Sequence, residues 1–276
     1  MSRINKSKPL VSVLVCVFNA EKYISTTLDS LINQKYKNVE YFVLNNNSVD
    51  NTRLILDSYS AKDVRIKVFH SKINKGAYGG LNYLLNKAQG NYIAIADHDD
   101  IYHPDRVGIQ VDFLEKHSKY FACGTNAYKY FEKNKEIKFM KTKKIDTFAF
   151  HPSLMFRNVL DLKYNLNIRY KADTYFMKYV LCQKSRSKIF NIQKPLFLSR
   201  VREDGQNLSR ILNSNLSLAD VMNYYLYSKD VLVLLRHILK IVLNYNLTQS
   251  ILDNYGRKSI KEFKQDKFLN EYLGYL

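Results

Sequence analysis

Apolar residues come at two spacings that alternate along the first part of this chain. Val11-Ser12-Val13-Leu14-Val15-Cys16-Val17-Phe18 is almost continuously apolar and rich in valine. That predicts a central parallel strand buried on both faces. Asn19-Ala20-Glu21 breaks the run, and Tyr23, Ile24, Leu28, Leu31 and Ile32 then recur at helical spacing. Val39–Leu44 predicts a second strand, ending in the polar run Asn45–Asp50. Asp50 or Ser48 is expected to cap the next helix, whose apolar face is Leu54, Ile55 and Tyr59. Val64–Phe69 alternates and predicts a third strand, and Asn74-Lys75-Gly76 leads into a helix carrying Leu81, Leu84, Leu85 and Ala88. The run Gly90–Ala96 predicts a fourth strand, with His103-Pro104-Asp105 turning into a further helix.

Strand followed by helix, repeated, means βαβ units and a parallel sheet, so the fold class is α/β. In such a sheet the tips Phe18-Asn19, Asn45-Asn46 and Asp97–Asp99 are expected to converge on one crevice. The fourth strand ends in Asp97-His98-Asp99-Asp100. Asp97 and Asp99 can both reach one hard divalent cation, and Mg²⁺ or Mn²⁺ held this way keeps positions for substrate phosphates. An isolated acidic turn, solvated and inert, is the bland reading of the same residues. No G-x-G-x-x-G follows the first strand and no G-x-x-x-x-G-K-[ST] occurs, which argues against a dinucleotide oxidoreductase and a P-loop NTPase.

Further along, Tyr120–Gly124 reads as a strand and Lys133–Lys144 as an exposed basic hairpin or loop. Glu203–Arg210 is polar and reads as a lid that orders on donor binding. From Ile211 the pattern is helical, with Leu226, Val231, Leu234, Leu235, Ile238, Ile241 and Val242 forming apolar stripes beside lysines and arginines. Two readings stand level: a helix lying on a membrane surface, or a helical cap or oligomer contact.

Composition narrows this picture. The chain has 276 residues, 46% hydrophobic, enough for one large α/β domain and a smaller appendage. A net charge of +18 calls for an anionic partner. Without a nucleic-acid recognition motif, a phosphate ligand or an anionic membrane surface ranks above nucleic acid, and no nucleic-acid partner is expected. The three cysteines, Cys16, Cys123 and Cys182, are widely spaced and have apolar neighbours. They read as buried free thiols of a reducing compartment. Met1–Leu10 has no apolar core, so no signal peptide is expected. Val231–Val242 is interrupted by Arg236, His237 and Lys240 and is too short to span a bilayer. The expected location is cytoplasmic, with peripheral attachment to the inner face of the membrane.

The ordered motifs resemble family 2 glycosyltransferases of the GT-A fold, which use nucleotide sugars and invert the anomeric centre. The family pattern x-Y-N-x-E-x-Y-[LI] stands here as Val17-Phe18-Asn19-Ala20-Glu21-Lys22-Tyr23-Ile24, and L-x-S-[IL]-x-x-Q as Leu28–Gln34. The V-D-D-G-S-x-D-x-T segment is Leu44–Thr52, the N-x-G loop is Asn74–Gly76, and D-x-D with its W-x-P-D-R-like sequel is Asp97–Arg106, followed by Gln110. The resemblance is dense from Val11 to about His117. It implies that Phe18, Glu21 and Asn46 surround the base and ribose, with Asn19, Asn74, Gly76 and His98 also at the nucleotide sugar. It implies that Asp97 reaches ribose or metal and that Asp99 binds a Mn²⁺ or Mg²⁺ ion bridging the diphosphate. Phe150–Arg157 resembles H-x-x-x-[MF]-R with one extra residue, placing His151 and Arg157 at the acceptor or sugar site. Asp173 matches the Asp of an E-D pair that acts as general base, with Ala172 in place of the Glu. Pro195–Arg202 resembles a strand ending Y-R-x-H, with Arg202 in place of a histidine that meets metal or diphosphate. Arginine clamps phosphate oxygens instead.

The departures are Asn45 and Asn46 for paired aspartates, and Leu81 where a phosphate-facing arginine is common. The resemblance implies a GT-A mixed sheet over residues 1–210, with a nucleotide-sugar half over about 1–118 and an acceptor half over about 119–210. Residues 211–276 form a C-terminal helical region. The expected activity is metal-dependent, inverting transfer from a nucleotide-diphosphate sugar, a UDP-hexose or UDP-N-acetylhexosamine. The acceptor would be a hydroxyl of a glycan or lipid-linked glycan. The alternative is a catalytically weak or inactive sugar-nucleotide-binding homologue that serves as a complex subunit.

Overall fold

The computed structural model describes residues 8–203, 217–229, 231, 258–259, 269, 271–272 and 274–275. The first part follows the predicted order: β1 Val11–Val17, α1 Ile24–Ile32, β2 Val39–Asn45, α2 Thr52–Lys62, β3 Ile66–His70, α3 Gly76–Leu85, β4 Tyr92–Ala96, β5 Ile101–Tyr102 and α4 Arg106–Lys116. The second part holds β6 Ala122–Phe131, β7 Glu136–Met140, β8 Ile145–Asp146, β9 Met155–Arg157 and α5 Ala172–Tyr175. A π-helical turn, Phe176–Leu181, joins α5 to α6 Cys182–Ser185; β10 Ile189–Val201, α7 Leu218–Ser228 and β11 Lys258–Ser259 follow.

Strands β3, β2, β1 and β4 lie side by side and parallel. Strand β9 then runs antiparallel between β4 and β6, and β10 runs parallel to β6. The result is a mixed, eleven-stranded sheet. After β1 the chain winds out to β2 and β3 on one side and returns to β4 on the other, which opens a crevice at the strands' C-terminal ends. Register keeps the tips level: Val17 lies opposite Asn45, and Val15 opposite Ala96.

Both faces of the central strands are covered. Val11, Val13, Val15 and Val17 pack with Leu28, Leu31, Leu56 and Val111 on one face. Leu14, Phe42, Leu44, Ile93 and Ile95 pack with Leu81, Leu84 and Phe176 on the other. Helix α3 comes so close to β1 that a Cβ on Gly80 would stand 2.2 Å from Cys16 Sγ. Glycine is what permits that approach.

Three expectations shift. β3 begins at Ile66 because the Asp63 carboxylate accepts from the Arg65 amide and guanidinium, forming a turn that leaves Val64 93% exposed. The N-cap of α2 is Asn51; Asp50 Oδ1 still accepts from Thr52 N at 3.1 Å, whereas Ser48 Oγ accepts from Asn19 N. The basic segment after Lys133 is a hairpin of β6 and β7, and Ile137 within it is fully buried.

In the C-terminal region, α7 buries Tyr224 against Ile168 and Ala172. Leu269 and Tyr272 complete a core with Ile101, Tyr128 and Leu198, and the Tyr272 hydroxyl donates to Pro195 O at 2.8 Å. Within this region Tyr224, Leu269 and Tyr272 thus pack against the α/β core and β11 pairs with β7, whereas Leu226 and Val231 of the apolar stripe are exposed. Among described residues no helix is long and apolar enough to cross a membrane. Most of the expected lid, and Leu234, Leu235, Ile238, Ile241 and Val242 of the apolar stripe, lie outside the described residues.

Candidate active site

The loop after β4 is held from below before it meets any ligand. Thr27 Oγ1 of α1 is shared between the carbonyls of His98 and Asp100, and Ser30 Oγ accepts from Tyr102 N. The Tyr102 hydroxyl lies 2.6 Å from Asp97 N. Arg106, 1% exposed, donates to Ile95 O and Gln110 and lies 4.7 Å from the Tyr102 ring centre. Such a scaffold fixes where the acidic side chains emerge.

Those side chains repel one another. The Asp97 carboxyl is pushed up to about 7 by burial first, then by the charges of Asp99 and Asp173. Asp100, buried, is raised well above the usual carboxylate range by burial and by both neighbours. One of its oxygens accepts from Arg200 N at 2.9 Å and the other has no hydrogen-bond partner.

Strand β10 brings two arginines to this loop. The Arg200 side chain donates to Asp99 O and Glu132 Oε1. Arg202 Nε donates to Asp99 Oδ2 at 2.7 Å, and its Nη2 meets His98 Nε2 at 2.5 Å. The guanidinium lies 4.8 Å from the Tyr23 ring centre. His98 Nδ1 faces Cys16 O at 3.1 Å; a carbonyl only accepts, so Nδ1 carries the hydrogen and Nε2 is the acceptor. Burial lowers the His98 pKa and keeps the ring neutral.

The tips of β1 and β2 are knitted together. Asn19, at φ 47°, accepts from Val49 N. Asn45 Oδ1 accepts from Ser48 N. Asn46, 1% exposed, accepts from Lys75 N and donates to Asn74 Oδ1 and Gly76 O. It fastens the Asn74–Gly76 loop, where Gly76 takes φ 69°. Glu21 Oε2 accepts from the Asn51 backbone and side chain at the head of α2. Phe18 differs from all of these: it stands 41% exposed at the β1 tip.

Opposite lies Asp173, in the first turn of α5 behind Lys171 at φ 53°. It is not the N-cap; its Oδ1 accepts from Thr174 N. Its charge is felt at Asp97, Tyr78, Tyr164 and His151. Tyr164 stacks on Phe176 at 4.0 Å and on Tyr78 at 5.2 Å, and its hydroxyl meets His151 Nε2 at 2.8 Å. The Tyr78 hydroxyl faces the Asp173 backbone amide. Sequence reasoning singled out none of Tyr78, Tyr164 and Arg200; Tyr78 had a signal in its place two residues past the N-x-G loop, and Arg200 stands at the arginine of the Y-R-x-H segment.

Arg157 is corrected. It pairs with Tyr92 at the far end of β4, because β9 runs antiparallel to it. The five residues from there to Asp97 span roughly 16 Å of strand. Arg157 instead donates to Tyr120 O, Leu114 O and the Tyr92 hydroxyl, so it clamps the base of the sheet.

The donor set fits a divalent ion poorly. Asp99 Oδ2 and His98 Nε2 both already accept from Arg202. Among described residues no group of three His, Cys, Asp or Glu side chains is disposed to hold a metal. What the pole does fit is a planar cation with directed donors.

Residues 12–181 match the family model described as Glycosyl transferase family 2. An uncharacterized glycosyltransferase of Haemophilus influenzae is 43% identical over 117 residues, 42% of this chain and 36% of that protein, so the match spans about a third of the relative. S. aureus TarS in complex with UDP-GlcNAc superposes with a TM-score of 0.58 at 18% identity, covering 80% of this chain and 74% of that one. The mannosyltransferase PcManGT from Pyrobaculum calidifontis, in complex with GDP-Man and Mn²⁺, gives 0.58 at 15% identity, covering 82% and 66%.

Proposed function

Because the chain belongs to glycosyl transferase family 2 and has the GT-A fold, we propose that the crevice moves a sugar from a nucleotide-diphosphate donor to an acceptor hydroxyl with inversion. The observation that carries this is the position of Asp173, distant in sequence yet close enough to Asp97 to raise its pKa. In this reading Asp173 is the carboxylate that meets the acceptor, and the Asp97 loop meets the donor. The acceptor oxygen attacks that carbon in line and its proton passes to the Asp173 carboxylate. The bond from the anomeric carbon to the diphosphate breaks on the opposite face, and its electron pair leaves with the diphosphate. Phe18 offers a face for the base, and Asp97 is placed for ribose.

The donor class is a UDP-hexose or UDP-N-acetylhexosamine; UDP-GlcNAc and GDP-Man in the neighbours make uracil and guanine the bases to test first. The acceptor is a glycan or lipid-linked glycan. The net charge of +18 suits an anionic membrane face on the cytoplasmic side. The expected Mn²⁺ or Mg²⁺ is not carried into this mechanism, since Arg202 holds the groups it would need.

The test is nucleoside diphosphate release from UDP- and GDP-sugars with free and lipid-linked glycan acceptors, with product anomers read by NMR. Asp173→Asn should lower turnover by about a thousandfold and leave nucleotide affinity unchanged. Retained turnover in that variant, or a product with retained configuration, overturns the assignment.

A further inference from the structure

Arg200, within β10, and Arg202, one residue past its end, face the same side, but they bond different groups of the acidic loop. Arg200 is tied to the Asp99 backbone carbonyl and to Glu132 beyond the loop, and its guanidinium lies 5.3 Å from the same Tyr23 ring centre. Arg202 is tied to the two side chains that would otherwise greet a metal. Its Nε takes a carboxylate oxygen of Asp99 at 2.7 Å, its Nη2 takes the lone pair of His98 at 2.5 Å, and its flat face lies 4.8 Å from the Tyr23 ring centre. These are three different kinds of partner on one planar group: an anion, a neutral acceptor and an aromatic face. A spherical divalent ion would use the first two through the same lone pairs and gain nothing from the third. The Cys16 carbonyl, by fixing the His98 tautomer, aims that imidazole at Arg202. Arg202 is 7% exposed, so its charge acts in a medium that screens it weakly.

We propose that Arg202 is the resident cation of the donor site: its guanidinium, rather than a divalent metal, meets the diphosphate of the sugar nucleotide, and donor binding needs no added metal. The inference rests on the donor-site reading above and changes how that site handles charge. A guanidinium fork matches phosphate oxygens in pairs and cannot lose its proton. As the anomeric bond breaks, the charge that develops on the leaving diphosphate is stabilised by hydrogen-bond donors already in place.

The experiment is calorimetric titration of UDP, GDP, dTDP and CDP into the full chain, in chelator and again in excess Mn²⁺ or Mg²⁺. The wild type should bind its preferred nucleotide in chelator with an affinity within about threefold of that in metal. Arg202→Gln should lose about thirtyfold or more in chelator, as removal of a charge-assisted phosphate contact implies. Arg202→Lys, which keeps the charge and loses the fork, should fall between. In Arg202→His, binding in chelator should be weak and Mn²⁺ should restore it, because Asp97, Asp99 and the new imidazole then form a metal set. Wild-type binding that vanishes in chelator and returns with metal overturns the inference while leaving the donor site standing. Equal affinity of Arg202→Gln and wild type in chelator overturns it as well. Absence of binding for every nucleotide in either condition overturns the donor-site reading and the inference together. The wild-type comparison needs no variant, so a variant that fails to fold does not rescue the idea.

Discussion

On the side of the crevice proposed for the donor the polar side chains are already committed to one another, whereas the side proposed for the acceptor is held by aromatic packing and unusual backbone. Asn19, Asn45, Asn46, Ser48 and Glu21 each bond a neighbouring loop or helix end. Across the crevice, Asp173 sits between Lys171 at positive φ and a π-helical turn, backed by the Tyr164–Phe176 and Tyr164–Tyr78 stacks. A net of directed hydrogen bonds fixes angles as well as distances, which suits a ligand of constant shape such as a nucleotide. Stacked rings tolerate sliding, and π-helical turns mark functional adjustments within helices. Under the proposed function, the difference means that the donor site is set before binding, while the acceptor side can adapt.

The largest expected break in that contrast is at Asn46. Asn46→Leu removes three hydrogen bonds from a buried position and leaves Lys75 N and Gly76 O without their partner. The cost in stability should be about 2–3 kcal/mol, read by denaturant unfolding, with weaker nucleotide binding because the Asn74–Gly76 loop is released. Unfolding at the wild-type midpoint would show that the net is dispensable.

Next is the charge crowding at Asp97. Its carboxyl is raised to about 7 in the fold and titrates near 4 when unfolded. Between those values the folded state binds the extra proton, so stability falls as pH rises from about 4 through 7, and the full penalty is present above 7. Asp97→Asn removes it. In chelator the variant should match wild type near pH 4 and exceed it at pH 8, by on the order of 2 kcal/mol, a figure set below the full shift because Asp97 keeps some solvent contact. A stability gap that stays flat with pH, or widens toward acid, would contradict the repulsion.

Most of the donor half was legible in sequence because β1, β2 and β4 are buried on both faces and must be apolar throughout. Asp97 and Asp99 could be placed at a strand tip because an apolar run ends there, whereas Asp173 was singled out by motif order alone; the roles given to all three belong to the proposed function. Residue type does not reveal occupancy, however. Asn46 was expected at the base, and only the fold shows that its amide is spent on the neighbouring loop. Arg157 was misplaced because a motif gives a position along the chain, and the antiparallel direction of β9 sends it to the wrong end of the sheet. Tyr78 and Tyr164 meet only through tertiary packing, so no periodicity announces them. The Arg202–Asp99 pair joins residues 103 apart in sequence in the same way.

A smaller effect sharpens the acceptor side. Tyr164→Phe keeps both ring stacks and deletes the hydrogen bond to His151. It should cost about 1 kcal/mol of stability. Because His151 faces Asp173 electrostatically, turnover should fall severalfold with nucleotide affinity unchanged. A change in nucleotide affinity instead would mean that the two sides are not separable.

The smallest change concerns Phe18, the donor-side residue that no hydrogen bond commits. A ring left 41% exposed at a strand tip, beside polar neighbours that are all engaged, is suited to cover a flat ligand. If it stacks on the base, Phe18→Ala should weaken binding of every nucleoside diphosphate by a similar factor, about fivefold or 1 kcal/mol, since each base has a π-face. Stability should not change, because little is buried there to lose. The two readouts separate the roles: a drop in unfolding midpoint with unchanged affinity would make Phe18 part of the core after all. A drop in affinity alone would make it the one mobile surface in an otherwise fixed donor site, and would explain how a site with no free carboxylate at the β2 tip still holds a base.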